Sequence, residues 1–407
     1  MKILVISHKP PYPVVDGGCL AMARFLENLY AVNPSNEITY FSLSTHKHPF
    51  DLNKFPTKKF QNAKFKNHLV NTKLNPFIAL WDLIRGNSYN LSRFYAKNVS
   101  EELSKLCIQN KYEVIIFDSL FSCVYLDDLK PINKAKFVYR AHNVENQIWK
   151  DLSQATKNPI KKWYLLQLQK KLEKFENHFL KTFDLILPLS NNDLEVIKSN
   201  TDKETVLIPI SMEITSKQAS YHNTSLCFIG AFNWQPNIEA IQWFVSDIFP
   251  SLIKEFPSLE LHIAGSHSEN ISNLKNINGI ILHGFVDSSL DFMAQHGIFI
   301  APLKSGSGIK IKVLEAMSIG LPCSLSPKSA EGINGNLILN KNSNDFISDI
   351  KALLSDEKLR MKRGIEGQQI VKSEFGNETV INLLKEQFEI LKKAKENMIN
   401  IATQQSK

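Results

Sequence analysis

The stretch that decides the fold runs Gly297-Ile-Phe-Ile-Ala-Pro-Leu-Lys-Ser-Gly-Ser-Gly-Ile-Lys-Ile-Lys-Val-Leu-Glu-Ala-Met-Ser-Ile-Gly-Leu-Pro-Cys-Ser-Leu325. It begins as an apolar strand, turns at Gly306 and Gly308, continues with helical periodicity and ends in a second apolar strand. The first turn of a helix offers unpaired N–H groups and the positive end of a dipole, which attract phosphate. Lys310 and Lys312 add positive charge at the same place. The stretch therefore predicts a phosphate-binding site.

Glu315 lies near the middle of this predicted helix, and its carboxylate is suited to accept hydrogen bonds from a ribose diol. A dinucleotide fingerprint would need a third glycine where Ile311 stands, and it would follow the first strand of its domain, so nicotinamide binding is disfavoured. A turn that only packs the helix remains the alternative. We expect a nucleotide diphosphate here, and what is attached to it stays open.

The composition indicates an ordinary globular protein. The chain has 407 residues, 43% of them hydrophobic and 22% charged, enough for two to three domains with their own cores. No apolar run approaches the ~20 residues that span a bilayer, and the N-terminus lacks a signal-peptide pattern. The five cysteines show no CxxC pair, which predicts free thiols in a reducing compartment. We therefore expect a cytoplasmic protein without a targeting segment.

Short apolar runs alternate with helical periodicity in both halves of the chain, a pattern typical of parallel sheets with helices on both faces. In the first half we predict strands at 2–7, 37–43, 113–118, 136–140, 184–189 and 205–209, and helices at 18–30, 99–109, 160–181 and 191–199. In the second half we predict strands at 225–229, 259–264, 279–282, 297–301 and 321–325, and helices at 238–256, 288–295, 309–319, 343–354, 356–371 and 378–395.

The polar, aperiodic stretch 211–224 separates the two halves and predicts a linker. We accordingly expect a Rossmann-like domain at 1–210, a second at 225–375, and a C-terminal helical segment at 376–407 that packs back toward the first domain. Two doubly wound domains in tandem imply a cleft, with ligands at the carboxyl ends of the strands.

The segment Leu314-Glu-Ala-Met-Ser-Ile-Gly-Leu-Pro322 resembles the LEAMAxGxP motif of the family-4 type of retaining glycosyltransferases. Segments 228–237, 283–287 and 301–308 occur in that family's order and spacing, so the resemblance covers nearly the whole chain and is strongest over 225–332. It implies a GT-B fold, in which two Rossmann-like doubly wound domains face each other across a cleft. It also implies a hexosyltransferase-type enzyme that transfers a sugar from a nucleotide-diphosphate sugar to an acceptor hydroxyl with retention.

The resemblance assigns the donor and nucleotide site residue by residue. Glu315 would bind the ribose, and the diphosphate and sugar would be held by Gly306, Ser307, Gly308, Ile309, Lys310 and Lys312. Ser307 stands where the family often has a sugar-contacting glutamate, and Lys310 stands where it has a glycine. Asn233-Trp-Gln235 replaces the usual diphosphate-binding Arg, so Lys310 or Lys312 is the expected substitute.

A second glycine turn follows the first strand, at Pro13-Val-Val-Asp-Gly-Gly18. The alternative is a tight turn with a glycine helix cap. The resemblance places Gly17 and Gly18 against the donor phosphate and the acceptor, because only glycine allows so close an approach of the backbone. Asp16 would lie at the mouth of the cleft.

The segment Tyr139-Arg-Ala-His-Asn-Val-Glu145 lies just past a predicted strand, where ligands of open sheets bind. By resemblance, His142 contacts the donor sugar and the leaving group, and Glu145 orients His142 or binds sugar hydroxyls; both are our catalytic candidates. The other candidates have open alternatives. Arg140 serves an anionic acceptor or pairs with an acid, Asn143 lies beside the acceptor, and Asp118 binds a ligand or caps a turn.

The basic charge is concentrated in the first half. Residues 1–200 contain 28 Lys and Arg against 18 Asp and Glu, whereas the remainder contains 20 against 22. In the basic segment 52–81 lysines alternate with aromatic residues, and 157–181 is basic with helical spacing. Both suit an anionic membrane surface, with a solvated basic face as the alternative. No RNA-binding motif accompanies them, so we do not expect nucleic acid.

The sequence shows no carboxylate pair or histidine spacing typical of a metal site, so we expect a metal-independent enzyme with no cofactor besides its nucleotide-sugar donor. The acceptor would be a glycan or a lipid-linked glycan in envelope or polysaccharide synthesis, with the enzyme cytoplasmic or peripheral on the inner membrane face. Two alternatives remain: a GT-B sugar-nucleotide epimerase or hydrolase, and a scaffold that keeps the fold without catalysis.

Overall fold

The computed structural model describes residues 1–215, 217–306 and 308–405, which form two compact units. The first unit comprises Met1–Ser211 together with the residues from Glu378 onward, and the second comprises Met212–Asn377. Each unit contains one wholly parallel sheet with helices, which confirms the predicted α/β class and two doubly wound, Rossmann-like domains.

The sheet of the first unit has six strands in the order β3-β2-β1-β4-β5-β6. The strands are β1 (Lys2–Ser7), β2 (Glu37–Ser44), β3 (Ala63–Leu69), β4 (Val114–Asp118), β5 (Lys136–Ala141) and β6 (Leu185–Pro188). The parallel register places Ser7 beside Asp118, and Asp118 beside Arg140. Three central strands therefore bring polar side chains to the same carboxyl edge of the sheet.

Helices cover both faces of this sheet. They are α1 (Gly17–Val32), α2 (Pro76–Arg85), α3 (Tyr89–Ser92), α4 (Lys97–Asn110), α5 (Leu126–Leu129), α6 (Glu145–Ala155), α7 (Pro159–Leu180) and α8 (Asn191–Asn200). Several helices begin at a side-chain cap, as when Asp16 accepts a hydrogen bond from the backbone N–H of Cys19 at 2.8 Å. One buried cluster packs around Phe117 and Phe137, and another packs around Ile3, Val5 and Leu26 on the other face.

The second unit has a five-stranded sheet in the order β11-β10-β7-β8-β9. Its strands are β7 (Leu226–Ile229), β8 (Leu261–Ala264), β9 (Ile280–Gly284), β10 (Ile298–Ala301) and β11 (Cys323–Leu325). Its helices are α9 (Gln235–Asp247), α10 (Phe249–Glu255), α11 (Ser289–Ala294), α12 (Ile311–Ser318), α13 (Ser343–Ser355) and α14 (Glu357–Ile370). Phe228, Phe244 and Ile300 lie fully buried at the centre of its core.

The last helix, α15 (Asn377–Gln405), packs on the first unit although it follows the second in sequence. Val380, Leu384 and Phe388 are buried in the same cluster as the strand residues Ile3 and Val5. The core of the first unit is therefore assembled from both ends of the chain.

The structure corrects several element predictions. Strand β3 and helices α2, α3, α5 and α6 were not predicted, and the predicted helix at 238–256 is two helices that meet at Ile248. The predicted strand at 205–209 is only a bridge beside β6. Val206 and Ile208 donate hydrogen bonds to the carbonyls of Ile186 and Pro188, but Pro188 has no N–H to donate back, so the ladder stops.

None of the described helices combines the length and the apolar character that a membrane span requires.

Candidate functional site

The predicted phosphate-binding site, called the phosphate seat below, lies in the second unit, between β10 and α12. Gly306 and Gly308 have φ of 102° and 73°, a backbone conformation that favours glycine. Helix α12 begins after Lys310, and among the described residues no side chain caps its first turn. Ser307 lies outside the described residues. The start of α12 thus keeps the unpaired N–H groups and the positive dipole end that bind anions.

Lys312 is the basic side chain best placed to add charge to this seat. Its Nζ donates to Oδ1 of Asn237 at 2.8 Å and lies 4.2 Å from the centre of the Phe228 ring. Burial, assisted by the nearby charge of Lys310, lowers the pKa of Lys312 to about 7. An anion bound beside Lys312 would favour its charged form, so this side chain is suited to respond to phosphate.

Lys310 is already engaged with an acid. Its Nζ lies 3.4 Å from Oε2 of Glu331 and also donates to the carbonyl of Gly308, while Lys328 lies 3.0 Å from the same carboxylate oxygen. Glu331 therefore offsets part of the charge of Lys310. Of the two lysines named as substitutes for the missing arginine, the structure favours Lys312.

Glu315 lies one turn beyond Lys312 on α12, and both side chains are partly exposed. Its Oε1 accepts a hydrogen bond from Ser289 Oγ at 2.9 Å, which fixes the carboxylate against the start of α11. Ile309 is half-buried in the turn before α12. The second unit thus brings the glycine turn, Lys312 and Glu315 together on one short segment.

The first unit has a buried polar network at the carboxyl edge of its sheet. Asp118 is fully buried, and its Oδ1 lies 2.9 Å from Nη1 of Arg140 and 2.6 Å from Nε2 of His142. Tyr40 donates to Oδ2 at 3.4 Å. Burial alone would raise the pKa of Asp118, but the charge of Arg140 and the hydrogen bonds from His142 and Arg140 hold it well below its usual range. Arg140 thus pairs with an acid, which was one of its two predicted roles.

His142 lies at the rim of this network, with 11% of its side chain exposed. Burial lowers its pKa, against the opposing effect of the Asp118 carboxylate. His142 is therefore a neutral imidazole near pH 7. The carboxylate that orients it is that of Asp118. Of the two roles predicted for Glu145, orienting His142 is therefore replaced, and binding sugar hydroxyls stays a prediction.

Glu145 opens α6 and faces a different acid, Glu176. The backbone N–H groups of Glu145 and Asn146 donate to the two oxygens of Glu176 at 2.9 and 2.8 Å. Burial and the charge of Glu176 raise the pKa of Glu145 to about 8, and burial raises that of Glu176 to about 7. Glu176 serves as a cap for α6, and the half-buried Asn143 precedes that helix. The geometry supports a structural role for this carboxyl pair more directly than a catalytic one.

The glycine turn after β1 is built around Asp16. Both carboxylate oxygens of Asp16 contact Nζ of Lys9, at 2.7 and 2.8 Å, and His48 lies 3.1 Å away. A Cβ on Gly18 would lie 2.7 Å from Nζ of Lys9, so this position requires glycine or a shift of the lysine. Gly17 begins α1 and is exposed.

Within the described residues, Asp16, Cys19 and His48 form a group whose potential metal-ligand atoms lie within 4.8 Å of one another. The donor set fits a metal poorly. The ammonium group of Lys9 already pairs with Asp16 and would repel a metal cation at this position. Burial raises the pKa of Cys19 to about 11, so its sulfur is a thiol. This group is better described as an ion-pair network that fixes the turn.

The sequence analysis missed His8 and Ser119. His8 directly follows β1, and its Nδ1 lies 2.5 Å from Oγ of Ser119, whose φ is 109°. Burial lowers the pKa of His8 well below its usual value. The signal was available, because a histidine after the first apolar strand belongs at the carboxyl edge where Asp118 ends β4.

The comparisons with known proteins agree with this description. Residues 223–356 match the family model described as Glycosyl transferases group 1. A Klebsiella pneumoniae protein, described as an uncharacterized 44.6 kDa protein in the cps region, is 25% identical over 335 residues, covering 78% of this chain and 80% of that protein.

Two solved structures show the same fold. Sucrose-phosphate synthase from Thermosynechococcus elongatus superposes with a TM-score of 0.71 at 15% identity, covering 97% of this chain and all of that one. Anabaena HepE in complex with UDP-glucose superposes with a TM-score of 0.65 at 13% identity, covering 96% and 99% of the two chains. The family model matches residues 223–356, which lie in the second unit, and the solved structures share the fold along nearly the whole chain. This chain is therefore a glycosyltransferase enzyme with the GT-B fold.

Proposed function

We propose that this glycosyltransferase transfers a hexose-like unit from a nucleoside-diphosphate sugar to an acceptor hydroxyl and retains the anomeric configuration. One observation carries the donor class. Lys312 lies in the first, uncapped turn of α12, and Glu315 lies one turn further along the same helix. Residues three positions apart share a helix face, so a phosphate and a ribose can be bound side by side. HepE, which shares this fold, has been solved with UDP-glucose.

In this proposal the N–H groups at the start of α12 and the charge of Lys312 bind the diphosphate. Glu315 accepts hydrogen bonds from the ribose hydroxyls, with Ser289 holding its carboxylate in place. Fixed donors aimed at the leaving diphosphate stabilise the charge that develops there, which is commonly the largest contribution to catalysis.

The reaction breaks the bond between the anomeric carbon and the diphosphate oxygen and forms a bond from that carbon to the acceptor oxygen. The acceptor hydroxyl gives its proton to the departing diphosphate. We propose attack on the same face that the diphosphate leaves, a route that needs no protein nucleophile and accounts for retention. Detection of a covalent glycosyl-enzyme by mass spectrometry would contradict this route.

We further propose that transfer needs no metal, since Lys312 and helix N–H groups supply positive potential at the diphosphate seat. Activity that survives EDTA is the expected result. Loss of activity with EDTA and its return with added Mg²⁺ or Mn²⁺ would contradict it.

The acceptor is proposed to be a glycan or lipid-linked glycan of a cell-envelope polysaccharide. The support is the relation to a Klebsiella protein whose description places it in the cps region. An acceptor of this kind can be presented at a membrane, and the first unit has a surface suited to that place.

That surface is one face of α2, which we call the α2 apolar face: Phe77, Ile78, Trp81 and Ile84, all of them exposed, Phe77 by 84%. Arg85 stacks on Trp81 with 4.6 Å between its Cζ and the ring centre. An exposed apolar helix face flanked by basic side chains is typical of helices that lie in the headgroup region of anionic membranes. By contrast, Phe55 and Phe60 of the predicted basic segment are buried, so they belong to the core.

Vesicle sedimentation tests the membrane proposal. Wild-type protein should sediment with phosphatidylglycerol vesicles and remain in solution with phosphatidylcholine vesicles. Replacing both Phe77 and Trp81 by serine should abolish sedimentation without unfolding the protein, because both side chains are exposed. Replacing exposed Ile108 of α4 by serine is the matched control. Equal sedimentation of all three proteins would contradict the proposal.

The central experiment measures nucleotide binding and transfer. Calorimetry with UDP and GDP should give binding that falls at least about tenfold in Glu315→Ala and in Lys312→Met, because each removes a direct contact. Lys304→Met, at an exposed lysine stacked on Trp243 in the same unit, is the control. Unchanged binding in Glu315→Ala would move the site elsewhere.

The same assay separates the alternatives. Turnover of the donor without any acceptor would favour an epimerase or hydrolase. Failure of UDP and GDP to bind would favour a scaffold without catalysis. Proton NMR of the glycoside product reads the anomeric configuration, and an inverted product would refute retention.

A further inference from the structure

We propose that Asp118 is a positioning residue that holds His142 as a neutral imidazole with its proton on Nε2, so that Nδ1 is presented to substrate as a hydrogen-bond acceptor. The inference rests on the proposed function only in that the hydroxyl bound by Nδ1 belongs to the donor sugar or to the acceptor. It assigns a role to the buried Asp118 that the sequence left open between binding a ligand and capping a turn.

Asp118 is held as a carboxylate in a fixed place. It is fully buried at the end of β4 and is approached by Arg140, His142 and Tyr40. Arg140 is itself immobile, since it is 1% exposed, donates from Nη2 to the carbonyl of Ala21 at 3.2 Å and stacks on Phe25 at 4.4 Å. A buried carboxylate beside a buried guanidinium stays ionised.

The distance of 2.6 Å between Asp118 Oδ1 and His142 Nε2 decides the tautomer. An ionised carboxylate has no proton to donate, and two lone pairs would repel at this separation, so Nε2 carries the hydrogen. Arg140 Nη1 lies within hydrogen-bond distance of both atoms, 2.9 Å from Nε2 and 2.9 Å from Oδ1 of Asp118, but the contact between Nε2 and the carboxylate is shorter, at 2.6 Å. The imidazole is neutral because burial and the charges of Arg140 and Lys9 disfavour a second proton.

The lone pair of the neutral ring is therefore on Nδ1. Among the residues that the structure describes, none is hydrogen-bonded to Nδ1, although the partly exposed side chain can be reached from solvent. A neutral acceptor nitrogen can bind the hydrogen of a sugar hydroxyl. It cannot protonate the leaving diphosphate; the contact of His142 with the donor sugar and the leaving group stays a prediction.

Nuclear magnetic resonance of the full-length protein labelled with ¹⁵N-histidine tests the tautomer directly. Long-range proton–nitrogen correlations distinguish protonated from unprotonated ring nitrogens, and the His142 signals are those lost in His142→Asn. We expect Nε2 protonated and Nδ1 unprotonated at pH 7. A hydrogen on Nδ1, or an imidazolium at that pH, would overturn the inference.

Two substitutions at Asp118 make opposite predictions. In Asp118→Asn the amide oxygen still accepts from Arg140 and from Nε2, and its NH₂ can donate to Tyr40, so the tautomer should persist. In Asp118→Ala, the Arg140 donor is the one group left facing Nε2 within the described part of the chain, so the ring should switch to the Nδ1–H form. We then expect kcat to fall by roughly 10²- to 10⁴-fold with nucleotide affinity unchanged, the size known for a wrong tautomer in a serine protease.

The outcomes separate this inference from the proposed function. A wild-type enzyme without transfer activity but with the Nε2–H tautomer would refute the function and leave the positioning role standing. Active Asp118→Ala protein with an unchanged kcat would refute the positioning role and leave the function standing. If Asp118→Ala does not fold, the wild-type tautomer and the expected persistence of that tautomer in Asp118→Asn decide the matter.

Discussion

The ammonium group of Lys312 has the amide oxygen of Asn237 as its hydrogen-bond partner, 2.8 Å away, and the described part of the chain places no carboxylate in contact with it. A lysine that is largely removed from water and touches no counter-ion costs the folded protein free energy. The diphosphate that we propose to bind here would supply the missing counter-ion.

The Lys312 pKa predicts how stability depends on pH. The folded pKa of about 7 lies below the unfolded value of 10.5, so between these values the unfolded chain binds more protons and stability rises with pH. Between pH 7 and 10 the free energy of unfolding, measured with urea, should rise by about 3 kcal/mol in the wild type, and this rise should be absent in Lys312→Met. Lys304→Met should behave as the wild type, and an equal rise in Lys312→Met would contradict the prediction.

The second unit should also be sensitive to acid, through His296. This residue is 4% exposed, its ring stacks on His262 with 4.3 Å between centroids, and its Nε2 has no hydrogen-bond partner among the described residues. Burial, with the charges of His262 and His283, lowers its pKa to about 4 from 6.5.

Because the unfolded chain binds the proton first, stability falls as the pH drops from 6.5 toward 4, by about 2–3 kcal/mol for this group. Urea midpoints at pH 7 and 4.5 should therefore converge in His296→Gln. His222→Gln, at an exposed histidine of the same unit, is the control, and it should keep the wild-type difference. The cluster also contains Glu260, whose carboxylate lies 3.2 Å from Nε2 of His262, so the comparison is made between variants.

Removing one partner of the buried ion pair between Arg140 and Asp118 should lower the free energy of unfolding. Arg140→Met leaves a buried carboxylate without its guanidinium, and we expect a loss of about 3–5 kcal/mol in the free energy of unfolding. The double variant Asp118→Asn/Arg140→Met should lose less than the single Arg140→Met variant. A double-mutant cycle measured by urea unfolding checks this, and additive losses would contradict the coupling.

Helix α15 should stabilise the first unit. Leu384 is fully buried in the cluster that contains Ile3 and Val5, so Leu384→Ala should cost about 2–5 kcal/mol in the free energy of unfolding. Ile390→Ala, at a half-exposed position of the same helix, is the control and should change the free energy of unfolding by less than about 1 kcal/mol. Equal losses in the two variants would contradict the packing.

The strands of the fold were predictable where apolar residues run without interruption. Strands β1, β2, β4 and β5 were found to within a residue or so because buried parallel strands read as continuous apolar runs. Strand β3 was missed because Lys64 and Lys66 flank Phe65 in a half-exposed strand at the edge of the sheet. Its pairing with β2 is tertiary information that a single sequence does not show.

The site was predictable as residues but not as contacts. The sequence singled out His142, Asp118 and Arg140, yet the residue it offered to orient His142 was Glu145, three positions along the chain, with sugar binding as the alternative. The true partner Asp118 lies on another strand, and it reaches His142 because β4 and β5 are adjacent and in register at Asp118 and Arg140. Adjacency of strands decides such contacts, and strand order cannot be read from spacing along the chain.

The position of α15 has a consequence for how the protein is made. A ribosome releases the strands of the first unit early, but Val380, Leu384 and Phe388, which complete its core, emerge only after the whole second unit. Until then, part of the packing is missing around Ile3, Val5 and the other apolar residues of the cluster that α15 completes. The nascent chain therefore carries an incomplete first unit while the second unit is being synthesised, and α15 completes the core of the first unit afterwards.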